Sequence, residues 1–154
     1  MARQRSIFSI ILVLLATFLI SCGGPGVASA PPTYTADQIA QIQEYVPEVQ
    51  TVRDRAAELK NLIEKNEWIK VGNFIHGPMA EARLTMTYIT PHLLPKDQTT
   101  ARQITKDLLT HLVKVDQAAS NGNSLVALSN YKAAFTDVDK FLQLLPEGSK
   151  QADS

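Results

Sequence analysis

The chain has 154 residues and carries fifteen basic and fifteen acidic side chains, so its formal net charge is zero at pH 7. This balance argues against a nucleic-acid partner, and the length suits one domain with a single hydrophobic core. The only cysteine is Cys22, which excludes an internal disulfide and a metal site built from several thiolates. The stability of the folded body must therefore come from packing.

The N-terminus has the features of a secretory leader. Arg3 and Arg5 precede fourteen almost wholly apolar residues, 7 to 20. At about 1.5 Å per residue this run covers about 21 Å, which is less than the ~30 Å of hydrocarbon that a permanent span must cross. We therefore predict that residues 1–21 are a signal peptide that is removed, leaving 133 residues with thirteen basic and fifteen acidic side chains and a net charge of −2.

The apolar run ends in Leu19-Ile20-Ser21-Cys22, the pattern of a lipobox. In lipoprotein processing the thiol accepts a diacylglyceryl group, and cleavage leaves the cysteine as the first residue. This pattern predicts a covalent N-terminal lipid on Cys22 that anchors the mature chain to a membrane. The alternative is an ordinary signal peptide cleaved after Ala28-Ser29-Ala30. Residues 22–34 are small and rich in glycine and proline, which indicates a flexible tether.

From residue 35 onward apolar side chains recur every three or four residues, which predicts amphipathic helices. The first begins at Thr35, where Gln38 completes a capping box, and Pro47 is expected to kink or restart it. The second begins with Asn66 as its N-cap and ends at Thr90-Pro91. A kink is expected in its middle, at His76-Gly77-Pro78.

A third helix is predicted from Asp97, and a fourth follows residues 121–124 and ends at Pro146 and Gly148. Leu84 and Leu125 are among the residues expected to face inward. Short connections make consecutive helices antiparallel, so the sequence predicts an all-α, up-down-up-down four-helix bundle over residues 35–148. Residues 149–154 are predicted to be a disordered tail.

Catalytic and metal-binding patterns are weak in this sequence. The three histidines, His76, His92 and His111, belong to no Glu-x-x-His motif, and no nucleophile or phosphate-binding motif is present. The chain is therefore predicted not to be an enzyme and to have no cofactor of its own. Asp107 and His111, four residues apart, are weak metal candidates, and an exposed pair in a weak surface contact is the preferred interpretation. Adventitious zinc can bind such a surface histidine.

Basic residues cluster along the first helix and just after it. They are Arg53, Arg55, Lys60, Lys65 and Lys70. A solvated helix face explains this cluster, and a docking patch for an acidic partner is the alternative.

Residues 68–79, Trp-Ile-Lys-Val-Gly-Asn-Phe-Ile-His-Gly-Pro-Met, resemble the second-helix signature of the PsbQ family, specifically its lipid-anchored cyanobacterial form. This family comprises extrinsic lumenal subunits of photosystem II. The lipobox, the helix layout and the first-helix proline fit the same family. The matching positions are Trp68, Phe74, Ile75, His76, Gly77, Pro78, Arg83 and Met86.

The resemblance implies a non-enzymatic role at the lumenal side of the thylakoid membrane. Such a domain docks on the photosystem II core near the other extrinsic subunits and helps to retain the manganese, calcium and chloride of the water-oxidising site, without supplying a ligand. It also implies that Trp68 and Phe74 fill the core. Plant members dock partly through a longer N-terminal arm, whereas the tether here is short and ends at Cys22, so the resemblance does not extend to docking through such an arm.

Two other functions are compatible with the sequence. One is a photosystem II assembly factor that meets the complex transiently. The other is an envelope lipoprotein that binds a small ligand or metal inside its bundle.

Overall fold

A computed structural model describes residues 32–149, and all regular elements in this range are helical. The predicted leader, the lipobox with Cys22 and residues 150–154 lie outside the described residues. The elements are α1 (Ala36–Asp54), α2 (Ala56–Glu64), α3 (Trp68–Phe74), a π-helix (Ile75–Met79), α4 (Ala80–Ile89), a 3₁₀-helix (Thr90–His92), α5 (Pro95–Ser120), α6 (Ser124–Leu144) and a 3₁₀-helix (Glu147–Ser149).

These elements form four bundle helices: α1 with α2, α3 through the π-helix to α4, α5, and α6. The first packs against the second and the fourth, and the third packs against the same two. This ring of neighbours confirms the predicted four-helix bundle. None of the helices in residues 32–149 combines the length and the apolarity that a bilayer span requires.

One apolar cluster runs through the bundle and contains wholly buried residues from every bundle helix, among them Leu59, Met86, Leu108 and Phe141. Each such side chain stabilises the fold by about 1.5–3 kcal/mol relative to an exposed position. All buried side-chain nitrogen and oxygen atoms of the described residues have a hydrogen-bond partner. The interior of the described body is therefore closely packed, and its buried polar atoms are hydrogen-bonded within the chain.

The inward orientation predicted for Leu84 and Leu125 is wrong, because these side chains are 45% and 80% exposed. Leu84 lies two residues from both Ala82 and Met86, which are buried. Two residues correspond to a rotation of about 200° on a helix, so Leu84 points to the opposite side. Leu125 lies in the first turn of α6, at an end of the bundle.

The predicted capping box is present at the start of α1. The Gln38 amide donates to Thr35 Oγ1 at 3.2 Å, and the Thr35 amide donates to Gln38 Oε1 at 3.0 Å. The sequence predicts a kink or a restart near Pro47. The helix does not restart there, because α1 continues through this exposed proline. The break comes at Arg55, whose amide bonds to the carbonyls of Val52 and Arg53 instead of completing an α-helical turn.

The prediction that Asn66 caps the second bundle helix is also wrong. Asn66 has φ = 57° and follows the end of α2, and α3 begins at Trp68 after Glu67. The Asn66 amide donates to Ile63 O at 3.0 Å and the Glu67 amide to Leu62 O at 2.9 Å, which is a Schellman motif. Asparagine tolerates this left-handed conformation better than most residues.

Gly122 (φ = 64°) makes the same motif after α5, with Gly122 N to Ala119 O at 3.1 Å and Asn123 N to Ala118 O at 2.8 Å. Asn123 then caps α6 by accepting from the Val126 amide at 3.1 Å. The third bundle helix begins two residues earlier than predicted, because Pro95 occupies its first turn, where its missing N–H has no cost.

The folded body extends one residue beyond the predicted bundle at each end. The Tyr34 hydroxyl donates to Asp97 Oδ2 at 3.3 Å and accepts from the Leu94 amide at 3.4 Å, and burial raises the pKa of this phenol. Ser149 is wholly buried, and its hydroxyl donates to Pro146 O at 2.7 Å. Tyr34, which the sequence assigned to the tether, and Ser149, which it assigned to the tail, therefore belong to the folded bundle.

Candidate docking surface

The residues that carry the family resemblance divide into a buried group and a surface group. Phe74, Ile75 and Met86 are buried in the core. Trp68 is half-buried and packs against that core near the end of the bundle, and its indole Nε1 lies 3.9 Å from where a Cβ on Gly122 would be. The core role expected for Phe74 is observed, and Trp68 closes the end of the bundle beside the α5–α6 turn.

At His76-Gly77-Pro78, where the sequence predicts a kink, the helix contains a π-helical turn. The Ala80 amide donates to the carbonyl of Ile75, five residues earlier, which widens the helix by one residue. Pro78 has no amide hydrogen to donate and its ring would crowd the preceding turn of a regular α-helix. The wider turn accommodates the proline within a helix that otherwise continues.

The two glycines Gly72 and Gly122 should respond differently to alanine. Gly72 lies inside α3, and beyond its own helix and chain neighbours no atom lies within 4 Å of a Cβ placed on it, so Gly72→Ala is expected to stabilise the fold by about 0.5–1 kcal/mol. Gly122 has φ = 64°, so Gly122→Ala is expected to destabilise it by about 1 kcal/mol. Urea denaturation followed by circular dichroism measures both values, and equal effects would contradict the assigned backbone geometry.

His76 and Arg83, the two polar members of the motif, lie on the side of the second bundle helix that faces α5. His76 is largely exposed, and its Nε2 lies 3.1 Å from Asp116 Oδ1. Arg83 is half-buried and lines a cleft between α4 and α5. The motif therefore contributes to the surface between the second and third bundle helices as well as to the core.

The weak metal candidates Asp107 and His111 do not bond to each other. Asp107 Oδ1 accepts from Gln103 Nε2 at 2.8 Å, and His111 Nδ1 lies 2.7 Å from Asp137 Oδ2 on α6. The Asp137 carboxylate is almost wholly buried, and Lys140 Nζ approaches it at 3.6 Å. No group of three or more potential metal ligands occurs in residues 32–149. The pair that the sequence missed, His111–Asp137, ties α5 to α6.

The basic cluster of the first helix is largely neutralised by neighbouring carboxylates. Arg53 Nε bonds to Asp139 at 3.0 Å, and Arg55 Nε bonds to Glu58 at 2.8 Å. The guanidinium of Arg55 lowers the pKa of the Glu58 carboxyl and also lies 4.8 Å above the centre of the Phe74 ring. The other ion pairs of this cluster are Lys60–Glu64 and Lys70–Glu67. Most cations of this cluster are thus paired with carboxylates of the same chain.

A different set of cations lacks such partners. Arg83 and Thr87 on α4, with Arg102, Lys106 and Leu109 on α5, line a cleft of about 400 Å³, which we call the basic groove. No carboxylate of the described residues forms an ion pair with Arg83, Arg102 or Lys106. Sequence spacing did not reveal this groove, because it forms only when α4 and α5 pack side by side.

Comparison of the sequence with known proteins finds a family and a relative that cover nearly the whole chain. The model of the PsbQ family, described as oxygen evolving enhancer protein 3, matches residues 2–146. The chain is 41% identical over 150 residues to CyanoQ of Synechocystis sp., an alignment that covers 97% of this chain and all of that relative. This chain therefore belongs to the PsbQ family, the non-enzymatic extrinsic lumenal subunits of the oxygen-evolving complex of photosystem II.

Proposed function

We propose that acyl chains on Cys22 hold this subunit at the lumenal face of the thylakoid membrane, where its bundle docks on the photosystem II core and the other extrinsic subunits. Docking there helps to retain manganese, calcium and chloride, and the bundle supplies no ligand to the metal cluster. The observation that carries this proposal is membership of the family over residues 2–146, a range that includes the lipobox.

The geometry of the body supports a role in adhesion. Its core is continuous, its buried polar atoms are paired among themselves, and its basic groove presents charge at the surface. A rigid helical body of this kind can cover part of a larger complex and slow the exchange of small ions with solvent. Its contribution is to bind and to exclude water.

Because the chain is anchored, a weak contact between the bundle and photosystem II is enough to keep the subunit bound. Each buried methylene contributes about 0.8 kcal/mol, so two or more chains give stable attachment. Residues 22–34 then reach about 20 Å on average, using about 5–6 Å times the square root of the residue number. Confinement to this thin layer raises the local concentration of the body against a membrane-embedded partner.

The test compares the full chain with Cys22→Ala and with Ser29→Ala in a cyanobacterial host that lacks its own PsbQ-family protein. We expect Cys22→Ala to lose the lipid mass and to co-purify with photosystem II on the order of tenfold less, because the effective concentration is lost. Its folded domain should keep the helical circular dichroism and melting temperature. Ser29→Ala, which lies in the same tether and leaves the lipobox intact, should behave as wild type.

Mass spectrometry of the mature N-terminus separates the two processing routes. An acylated Cys22 is the expected start. A wild-type chain that starts unmodified at Pro31, with undiminished co-purification of Cys22→Ala, would contradict the anchoring proposal.

A further inference from the structure

We infer that the basic groove is the docking site for an acidic segment of a partner protein, one that brings at least two carboxylates and an apolar side chain. This inference rests on the proposed docking function, and it specifies the face of the bundle and the chemistry of the partner. The groove lies beside the connection between the second and third bundle helices, since Thr90 and Pro91 also border it.

The first argument is charge. Among the four arginines of the described residues, Arg53 and Arg55 bond to carboxylates on the same surface, whereas Arg83 and Arg102 do not. Both unpaired arginines line the same cleft, together with Lys106. The only polar contact of the Arg102 head group in the described residues is a 3.5 Å approach of Nη1 to Gln98 Oε1. These guanidinium groups are therefore free to pair with carboxylates of another molecule.

A comparison with clefts elsewhere on the bundle strengthens this argument. A cleft of about 370 Å³ lined by Arg53 also contains Asp54 and Asp139, and a cleft lined by Arg55 also contains Glu58. These clefts contain their own counter-charges. The lining of the basic groove includes no acidic residue. A guanidinium in such a setting favours a carboxylate that it can bind through two parallel hydrogen bonds.

The second argument is shape and polarity. Arg102, Lys106 and Leu109 follow one another at intervals of four and three residues, so they form a single stripe along α5. Leu109 is 44% exposed, and Val113, four residues further along the stripe, is exposed to a similar degree. The stripe thus passes from cationic to apolar along its length. An amphipathic protein segment fits such a stripe, with its acidic end beside Arg102 and Lys106 and its apolar side chain on Leu109.

A flat anionic lipid surface is a poorer match for this site. The three cations border a recessed cleft, and Arg83 is half-buried at its wall. A protein side chain can enter such a cleft, whereas recruitment to an anionic lipid surface takes clusters of about four to eight lysines and arginines, more than the three cations here. We therefore commit to a protein partner and treat a lipid surface as an outcome that would overturn the inference.

The test uses the full-length lipidated chain and a groove variant, Arg83→Gln with Arg102→Gln and Lys106→Gln. The control variant carries Lys96→Gln, Lys114→Gln and Lys132→Gln, which removes three exposed charges outside the groove. Both variants must match the wild-type circular dichroism and melting temperature. Binding of the lipidated chains is measured to photosystem II particles stripped of extrinsic proteins. Binding to phosphatidylglycerol vesicles is measured separately with the same three chains carrying Cys22→Ala, because acyl chains would hold every lipidated form on a vesicle.

We expect the groove variant to bind stripped particles about tenfold more weakly than wild type at low salt, with a smaller salt dependence, and the control to bind within about twofold. Carbodiimide treatment of the wild-type complex should crosslink Lys106 to an aspartate or glutamate of a partner protein. Equal binding by wild type and groove variant would overturn the inference and leave the proposed function intact. Loss of vesicle binding alone, with particle binding retained, would assign the groove to lipid and also overturn it.

A different outcome addresses the proposed function itself. If wild-type chain fails to bind the particles at any salt concentration, the docking function fails and the groove inference fails with it.

Discussion

Leu108→Ala is expected to lower the free energy of unfolding by about 3–5 kcal/mol. Leu108 is wholly buried on the inner face of α5, and truncation removes its contacts and leaves a cavity that a closely packed bundle refills only in part. A loss of this size is a large fraction of the stability of a domain of this length. Urea denaturation followed by circular dichroism gives the value directly.

Leu125→Ala is the matched control, because it makes the same chemical change at a side chain that is 80% exposed. Its effect on the free energy of unfolding should stay within about 0.5 kcal/mol. Comparable losses at the two positions would show that Leu125 lies in the core, as its sequence pattern suggested, and would contradict the packing described here.

Asp137→Ala is expected to destabilise the fold by about 2–4 kcal/mol. The side chain of Asp137 is only 5% exposed and lies 2.7 Å from His111 Nδ1 and 3.6 Å from Lys140 Nζ. Removing the carboxylate leaves the His111 imidazole without its partner between two helices. Hydrogen-bonded partners that are shielded from solvent in this way cost more to separate than exposed ion pairs do.

Asp139→Ala provides the comparison on the same helix. Asp139 is 44% exposed and pairs with Arg53, which is also exposed, so its loss should cost at most about 1 kcal/mol. A double-mutant cycle with His111→Ala isolates the energy of the His111–Asp137 contact. A coupling energy near zero, or equal losses at Asp137 and Asp139, would contradict the structural role assigned to this pair.

Features that depend on local chemistry were predictable from the sequence. The capping box at Thr35 follows from residue types three positions apart, and the π-turn lies at the glycine and proline for which a kink was predicted. The four helices follow from the period of apolar residues. Local signals failed where two conformations compete: Asn66 suits an N-cap and a left-handed turn equally well, and the preceding helix determined the outcome.

Features that depend on tertiary neighbours were not predictable. His111 pairs with Asp137, 26 residues away, and not with Asp107, because α6 brings the more deeply buried carboxylate against α5. The basic groove likewise combines α4 and α5, so its cations are scattered in the sequence. The cluster that was visible in the sequence, around Arg53 and Arg55, is largely neutralised by its surroundings.

Oxygen evolution tests the central account most directly, measured on photosystem II particles from a strain that lacks this chain, in medium without added calcium and chloride. The account predicts a low rate that rises when purified lipidated chain is added back in a stoichiometric amount and that also rises when calcium and chloride are supplied instead. A full rate without the chain, unchanged by its return, would contradict a role in retaining these ions.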